Sequence, residues 1–398
     1  MTRLLIEGWR GVNHSFAMVN QCQILALHGL PGVQLQHRDL PLAMAHWNAS
    51  THNPGFAPAD WQRIADLPAP DGWPVDCVYR ICSPFRDEPA AAEAPRLISF
   101  MVTEMGLSHK SFCPGTERSE VFTRDDNLIV TPTQWSRERL LEWGYAPDKV
   151  KVLSHGVNST TFCPPSAAQR QHSRQQLGYA DDQYIFLNLG AAFWNKGMDV
   201  LLLAYARLRQ KHPHVRLILK DQRNVYGVGI EQTIAELCRD HPALFGQDTL
   251  ASISTITANL NQAQLCSLYA LSDCYVSTYR AEGFNLPVLE AMACGTPVVV
   301  TQGGATDDFC GPELALFVAS QAGSRNTNDS REAARYREPD PEATVATMER
   351  MLLGQGIARD AAFEQARQQL CANMAWSKVA LQLLALTTGA RTAAAQAS

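Results

Sequence analysis

The stretch Ser272–Thr301, SDCYVSTYRAEGFNLPVLEAMACGTPVVVT, reads as one strand–loop–helix–strand unit. The β-branched and aromatic residues of SDCYVSTY suit a strand. Asn285 can cap a helix and Pro287 suits its first turn. Leu289 to Cys294 favours helix, and Gly295 supplies a stop before TPVVV. A strand, a crossover helix and a second strand predict a parallel sheet covered by helices. Glu282 then falls in the loop, and Glu290 about one turn inside the helix. In such sheets ligands gather outside the carboxyl ends of the strands. A helix N-terminus there offers unbonded amide groups and the positive end of a dipole, which suit a phosphate. Glu290 is placed to accept hydrogen bonds from a diol such as a ribose, with Glu282 one loop earlier. Taken alone, the pattern fits equally well a buried helix with charges at its edges.

Working outward, the same alternation recurs. YIFLNLGAAFWNKG is strand then loop, MDVLLLAYARLRQKH an amphipathic helix, and VRLILK, ASISTITANL and SDCYVSTY are strands with helices between them. Before this series the apolar pattern lapses near STTFCPPSAAQRQHSRQQLGYADDQ, the expected boundary between two domains. An earlier α/β series precedes it: RLLIEGW, VQLQHRDL, VDCVYRI, RLISFMVTEMG, NLIVTPT and KVKVLSHGV as strands, with Trp47 to Asp71 loop-rich. The expected organisation is a Rossmann-like domain over 1–168, a second over 169–370, a C-terminal helix over 371–388 and a frayed tail over 389–398. Residues 321–340 are charged and weakly periodic, and read as a surface excursion.

Composition narrows the function classes. The 398 residues are 46% hydrophobic and 18% charged with a net charge of −5, which offers no global attraction to nucleic acid. No apolar run approaches the roughly 18–20 residues that span a bilayer. Eleven cysteines without a CxxC pair suit small buried hydrophobes in a reducing compartment. A cytoplasmic protein is the expectation. No DxD stands at a strand end and no His/Asp cluster has metal spacing.

EGFNLPVLEAMACGTPVV resembles the E-x7-E signature of retaining glycosyltransferases with two facing Rossmann-like domains, the GT-B type, and is most similar to glycosyltransferase family 4. The resemblance extends to TPTQWSRERLLEWGYAPDKVKVLSHGVNSTTFCP, to LNLGAAFWNKGMDVLLLAYARL with its G-x5-K-G loop, to SLYALSDCYVST and to the final helix WSKVALQLL. It is clear from about residue 125 to 385 and loose over the first hundred residues.

The resemblance implies a role for each matching residue. Glu290 matches the glutamate that holds the ribose hydroxyls, and Glu282 the one beside the transferred sugar. Gly283, Phe284, Asn285 and Leu286 match the loop whose amides contact sugar and phosphate. Asn285 stands where the family most often has glycine, so Asn must either avoid positive φ or tolerate it. Lys196 matches the lysine that neutralises the diphosphate, and Gly190 opens its loop. Ala191 stands where many members carry an arginine, which leaves Lys196 alone or assisted by Lys220 or Arg223, with Lys220 preferred at its strand end. In the first domain Gly11 is the expected donor contact and Glu104 the expected catalytic group near the sugar. His14 reads as a helix-start residue and His155 as structural.

The implied activity is retaining transfer, of the hexosyltransferase type, from a nucleotide-diphosphate sugar to a hydroxyl acceptor. That acceptor is a carbohydrate, a lipid-linked glycan or another hydroxyl compound, and no essential metal or other cofactor is expected. Arg137, Arg139 and Trp143 offer basic and aromatic groups for peripheral membrane contact. Two alternatives stay open: a nucleotide-sugar-binding protein without transferase activity, and a sugar-nucleotide epimerase or phosphorylase on the same fold.

Overall fold

A computed structural model describes residues 1–47, 55–72, 74–86, 94–114, 127–326 and 334–388. The chain forms two units, each with its own sheet: Val157–Ser324 and Arg335–Asn373 make up the second, and Met1–Gly156, Arg325–Ala334 and Met374–Ser398 belong to the first.

The first unit holds β1 (Thr2–Gly8), β2 (Val33–Asp39), β3 (Cys77–Ile81), β4 (Leu97–Phe100), β5 (Asn127–Thr131) and β6 (Val150–Val152). They pair in the order β2-β1-β3-β4-β5-β6, parallel throughout. Every residue of β3, β4 and β5 is buried, as expected of strands covered on both faces, which read as apolar runs and not as alternating ones. Gly8 ends β1 because a Cβ there would press on Ile81 and Asn20 at 2.8–2.9 Å. The helix Trp376–Thr388 returns to this unit and packs on the helix Ser15–His28.

The second unit holds β7 (Tyr184–Gly190), β8 (Val215–Asp221), β9 (Ile253–Ile256), β10 (Cys274–Ser277), β11 (Val298–Thr301) and β12 (Ala315–Val318). Their order is β12-β11-β10-β7-β8-β9, again parallel. The helix Met198–Lys211 sinks Leu201, Leu202 and Tyr205 onto Phe186 and Leu217 of the sheet, and Met348 of the helix Pro341–Leu352 closes the same core. Both units therefore have the doubly wound α/β architecture that the strand–helix alternation predicts.

The structure differs from the sequence reading in four places. The unit boundary lies before Val157, not at 168/169. The polar stretch after it is anchored on the second unit: Phe162 meets Tyr269 edge to face at 6.2 Å, and the Cys163 carbonyl accepts from the Cys266 thiol at 3.5 Å. Within the stretch read as loop-rich, Pro58–Ala65 forms a helix with proline at its start; only Ile64 is buried, so its apolar signal is a single residue. The helix expected over 371–388 begins at Trp376, after a separate helix Ala361–Asn373. Part of the excursion over 321–340 is a ribbon of β13 (Ser320–Arg325) with β14 (Ala334–Pro339). The tail 389–398 lies outside the described residues. Among those residues no helix is long and apolar enough to cross a membrane.

Candidate functional site

β7 is the first strand of its sheet and lies between β8 and β10. The chain thus winds outward in both directions from the β7–β10 junction, the position at which parallel sheets open a ligand crevice. Lys196 comes from the loop after β7 and Glu282 from the loop after β10. Lys196 Nζ and Glu282 Oε2 are 2.9 Å apart, with both side chains mostly but not fully covered.

The two loops are locked together by backbone contacts. After a short 3₁₀ turn, Trp194–Lys196, the chain reverses at Gly197 with φ +64°. A Cβ at Gly197 would collide with the Thr278 carbonyl, and Thr278 Oγ1 donates to the Gly197 carbonyl at 2.8 Å. Glycine is required there for both its handedness and its size. The Asn195 carbonyl accepts from the N–H groups of Arg280 and Ala281 at 2.7 and 3.1 Å, while its side-chain amide donates to the Ala281 carbonyl at 3.1 Å. Beneath them Arg280 is buried. It donates to Asp199 through both terminal nitrogens at 2.8 Å, to Glu338 and to the Trp194 carbonyl, and its guanidinium lies 4.8 Å over the Trp194 ring. Sequence reading passed over Gly197, Asn195, Thr278 and Arg280 as individuals. Gly197 carried a signal as the last residue of the G-x5-K-G loop; for Asn195, Thr278 and Arg280 the signal was adjacency to Lys196 and Glu282.

From Glu282 the chain enters the helix Leu286–Ala293. Asn285 precedes it at φ +78°, so this asparagine does tolerate the left-handed conformation. Its Nδ2 donates to Ser277 Oγ at 2.9 Å, which ties the helix start to the end of β10. Gly283 and Phe284 are buried, Phe284 stacked on Phe309 at 4.7 Å, while Leu286 is partly exposed at the first helical position. Glu290 Oε2 accepts from the Tyr269 hydroxyl at 2.8 Å. Burial pushes the Glu290 carboxyl up to about 7, and the Tyr269 bond pulls partly against that. Tyr269 had no distinguishing mark in the sequence beyond its aromatic character.

The remaining second-unit candidates are less directly engaged. At Gly190 a Cβ would meet only Asn188 Oδ1, at 3.8 Å, so no close approach demands glycine. Ala191 beside it is buried. Lys220, the residue before the last of β8, is only 7% exposed, with Nζ donating to the Asp221 carbonyl at 2.7 Å and burial pushing its pKa down. Arg223 is committed to Asp221, at 2.8 Å, and to Glu231.

In the first unit Gly11 follows β1 at φ +79°, and its N–H donates to Gln21 Oε1 at 2.9 Å. His14 caps the helix Ser15–His28, its Nδ1 accepting from the Phe16 N–H at 3.3 Å, and burial lowers its pKa to about 4. Glu104 follows β4, partly exposed, its carbonyl accepting from Trp135 Nε1 at 2.6 Å. His155 is buried between Phe100 and Trp376, with ring centroids 5.6 and 6.1 Å away. Gly11 and Glu104 therefore stand on the carboxyl side of the first sheet, and the other candidates stand on the second. Trp143 is 2% exposed and Arg139 is paired with Glu142 at 2.8 Å, while Arg137 donates to the carbonyls of Val150 and Pro147. Trp143 and Arg139 are thus buried in the fold, and Arg137 is partly exposed. Among the described residues no group of three or more His, Cys, Asp or Glu side chains is gathered to hold a metal ion.

Residues 169–322 match the family described as "Glycosyl transferases group 1". The chain is 28% identical over 185 residues to a mannosylfructose-phosphate synthase of Agrobacterium fabrum, covering 46% of this chain and 39% of that one. It is 30% identical over 181 residues to a D-inositol 3-phosphate glycosyltransferase of Thermobifida fusca, covering 45% and 40%. The matched stretches thus span about two fifths of the length of these curated relatives. Solved structures align over nearly the whole chain. A glycosyltransferase from Rickettsia africae gives a TM-score of 0.69 at 14% identity, with 98% of each chain covered. Anabaena Alr3699/HepE, solved with UDP and glucose, gives 0.68 at 16%, with 98% of this chain and 100% of that one covered. At such identities the likeness establishes the fold, two Rossmann-like domains of the GT-B type.

Proposed function

From the match of residues 169–322 to the glycosyl transferases group 1 family we propose that the chain is a retaining glycosyltransferase that takes its donor, a nucleotide-diphosphate sugar, on the second unit. The observation that carries this is the pair Lys196–Glu282, 2.9 Å apart at the β7–β10 junction, where a phosphate-seeking cation and a hydroxyl-seeking carboxylate meet. Anabaena Alr3699/HepE, of the same fold, has been solved with UDP-glucose, which supports a sugar nucleotide as the donor class.

Each group then has a task that its chemistry allows. Lys196 and the N-terminus of the helix Leu286–Ala293 neutralise the diphosphate as it departs. Glu290 accepts from the ribose diol, and Glu282 orients hydroxyls of the transferred sugar. The acceptor hydroxyl attacks the face that the nucleotide leaves, and the departing phosphate oxygen takes its proton, so the configuration is kept. Charge neutralisation is assigned to protein groups, and no essential divalent ion is invoked. On the first unit, Gly11 is assigned as a donor contact and Glu104 as the catalytic group near the sugar.

The test is thermal stability against a panel of nucleotide sugars, with Lys196→Ala and Glu290→Ala alongside. A ligand at about 100 times Kd that binds only the folded protein adds roughly 2.7 kcal/mol. A shift with one nucleotide class, lost in both variants, is expected; flat curves with every diphospho-sugar would remove the donor assignment. In turnover with that donor, Lys196→Ala is expected to lower kcat on the order of 10²–10³-fold.

A further inference from the structure

Three cysteines meet beneath Glu290. Cys266, partly exposed on the helix Gln262–Leu271, receives a hydrogen bond from the thiol of buried Cys294 with the sulfurs 3.6 Å apart, and its own thiol donates to the carbonyl of exposed Cys163 at 3.5 Å. Cys294 closes the helix Leu286–Ala293, four residues after Glu290, and its N–H donates to the Glu290 carbonyl at 3.0 Å. Tyr269, which donates to the Glu290 carboxylate, lies three residues after Cys266. The same two helices thus touch through two neighbouring pairs, Cys266–Cys294 and Tyr269–Glu290.

We propose that Cys266 and Cys294 are a thiol modification site: a hydroperoxide links them in a reversible disulfide that resets the helix carrying Glu290. The sulfurs stand within about 1.5 Å of bonding separation, on helices already packed together. The Cys266 thiolate attacks one peroxide oxygen, the O–O bond breaks, and the second oxygen leaves as an alkoxide or hydroxide that takes a proton. The sulfenic acid so formed is attacked by the Cys294 sulfur, and its oxygen departs as water. In sum two thiols and one hydroperoxide give one disulfide, one alcohol or water, and one further water.

The cluster also has the polarity that such chemistry needs. The Cys294 hydrogen bond, opposed by partial burial, lowers the Cys266 pKa to about 6, so that thiolate is present at neutral pH. Burial pushes Cys77 and Cys82 the other way, to about 12. Linking the pair draws the end of the helix Leu286–Ala293 towards the helix Gln262–Leu271 and shifts the backbone under Glu290. The consequence for donor binding rests on the function proposed above; the disulfide itself does not.

The experiment uses the full chain, reduced and then treated with a few equivalents of hydrogen peroxide. Expected is a mass lower by two hydrogens, with sequenced peptides joining Cys266 to Cys294. The link should persist in Cys163→Ser, disappear in Cys266→Ser and reverse with dithiothreitol. Amide exchange in the helix Leu286–Ala293 should change on linking, and affinity for the donor found by the nucleotide-sugar panel should fall roughly tenfold, an ordinary size for coupling between sites. A cross-link to Cys163 instead, or oxygen addition without any cross-link, would overturn the site. An unchanged exchange pattern in the linked protein would overturn the resetting of the helix. If the reduced chain binds no nucleotide sugar, the donor assignment falls while mass and exchange still decide the disulfide.

Discussion

Glu290 is a carboxylate held near half-protonation at neutral pH, because burial favours its neutral form up to about 7. A ribose diol donating to it favours the ionised form, so donor binding should release a proton. Affinity then rises with pH through the window from about 5 to 7, where free Glu290 is still protonated, and levels off above it. Taking a Glu290 that stays ionised in the complex, Kd for a sugar nucleotide should weaken roughly twentyfold between pH 7.5 and 5.5. The diphosphate of a sugar nucleotide does not titrate in that range, so the effect belongs to the protein. Titration calorimetry at the two pH values checks it, and Glu290→Gln should bind more weakly with a flat profile. A wild-type profile as flat as the variant's would remove Glu290 from the diol. Their placement around a helix start marked Glu282 and Glu290 in the sequence, and the resemblance to a known family added Lys196. The partners that tune Glu290, Tyr269 and Cys266, come from a helix some twenty residues earlier, and no local pattern announces a contact made by folding.

At the scale of an element, the loop after β7 is shaped by the loop after β10. Gly197 must take φ +64° and leave room for the Thr278 carbonyl. Gly197→Ala therefore faces both a handedness penalty and a backbone collision, expected to cost about 2–4 kcal/mol. The urea midpoint should fall with the slope unchanged, and the loop that carries Lys196 should lose nucleotide affinity as well. Gly190→Ala is the control: its Cβ meets only Asn188 Oδ1, at 3.8 Å, and it should fold with nearly wild-type stability. Strands and long helices were legible because their apolar periodicity is local. Pro58–Ala65 was not, since it buries one residue and has no side-chain cap. Asn285 shows the limit from the other side. Sequence reading could state the choice between avoiding and tolerating positive φ, and the bond to Ser277 Oγ holds it to the second.

For the whole molecule, the buried histidines of the first unit and Glu290 of the second respond to acid with opposite signs. In the first, burial lowers the pKa of His14 to about 4 and of His155 to about 3, and burial with Arg10 nearby lowers His37 to about 3. A histidine whose folded pKa lies below its unfolded value contributes stability above about pH 6.5, and loses it as pH falls towards the folded pKa. For fully buried His155 that amounts to about 2 kcal/mol between pH 7 and 5. In the second unit Glu290 is raised, so its contribution is complete below about pH 4.5 and is lost as pH climbs through about 7. Sequence reading placed His155 as structural and the two α/β units as separate cores, but burial is the largest cause of these shifts, and burial is a property of the folded chain. Hydrogen exchange at pH 5.5 and 7.5, corrected for intrinsic rates, should show β1, β3 and β4 losing protection in acid while β7, β10 and β11 hold it, since Glu290 and the Cys266 thiol, its pKa lowered to about 6, act in opposite directions there. His155→Phe keeps a ring between Phe100 and Trp376 and removes the proton, so it should reduce the acid loss of the first sheet to the part set by His14 and His37 and leave the second unchanged. Equal losses in both sheets, or an acid loss in the first sheet that His155→Phe leaves as it was, would mean that the buried imidazole does not set that unit's response to acid.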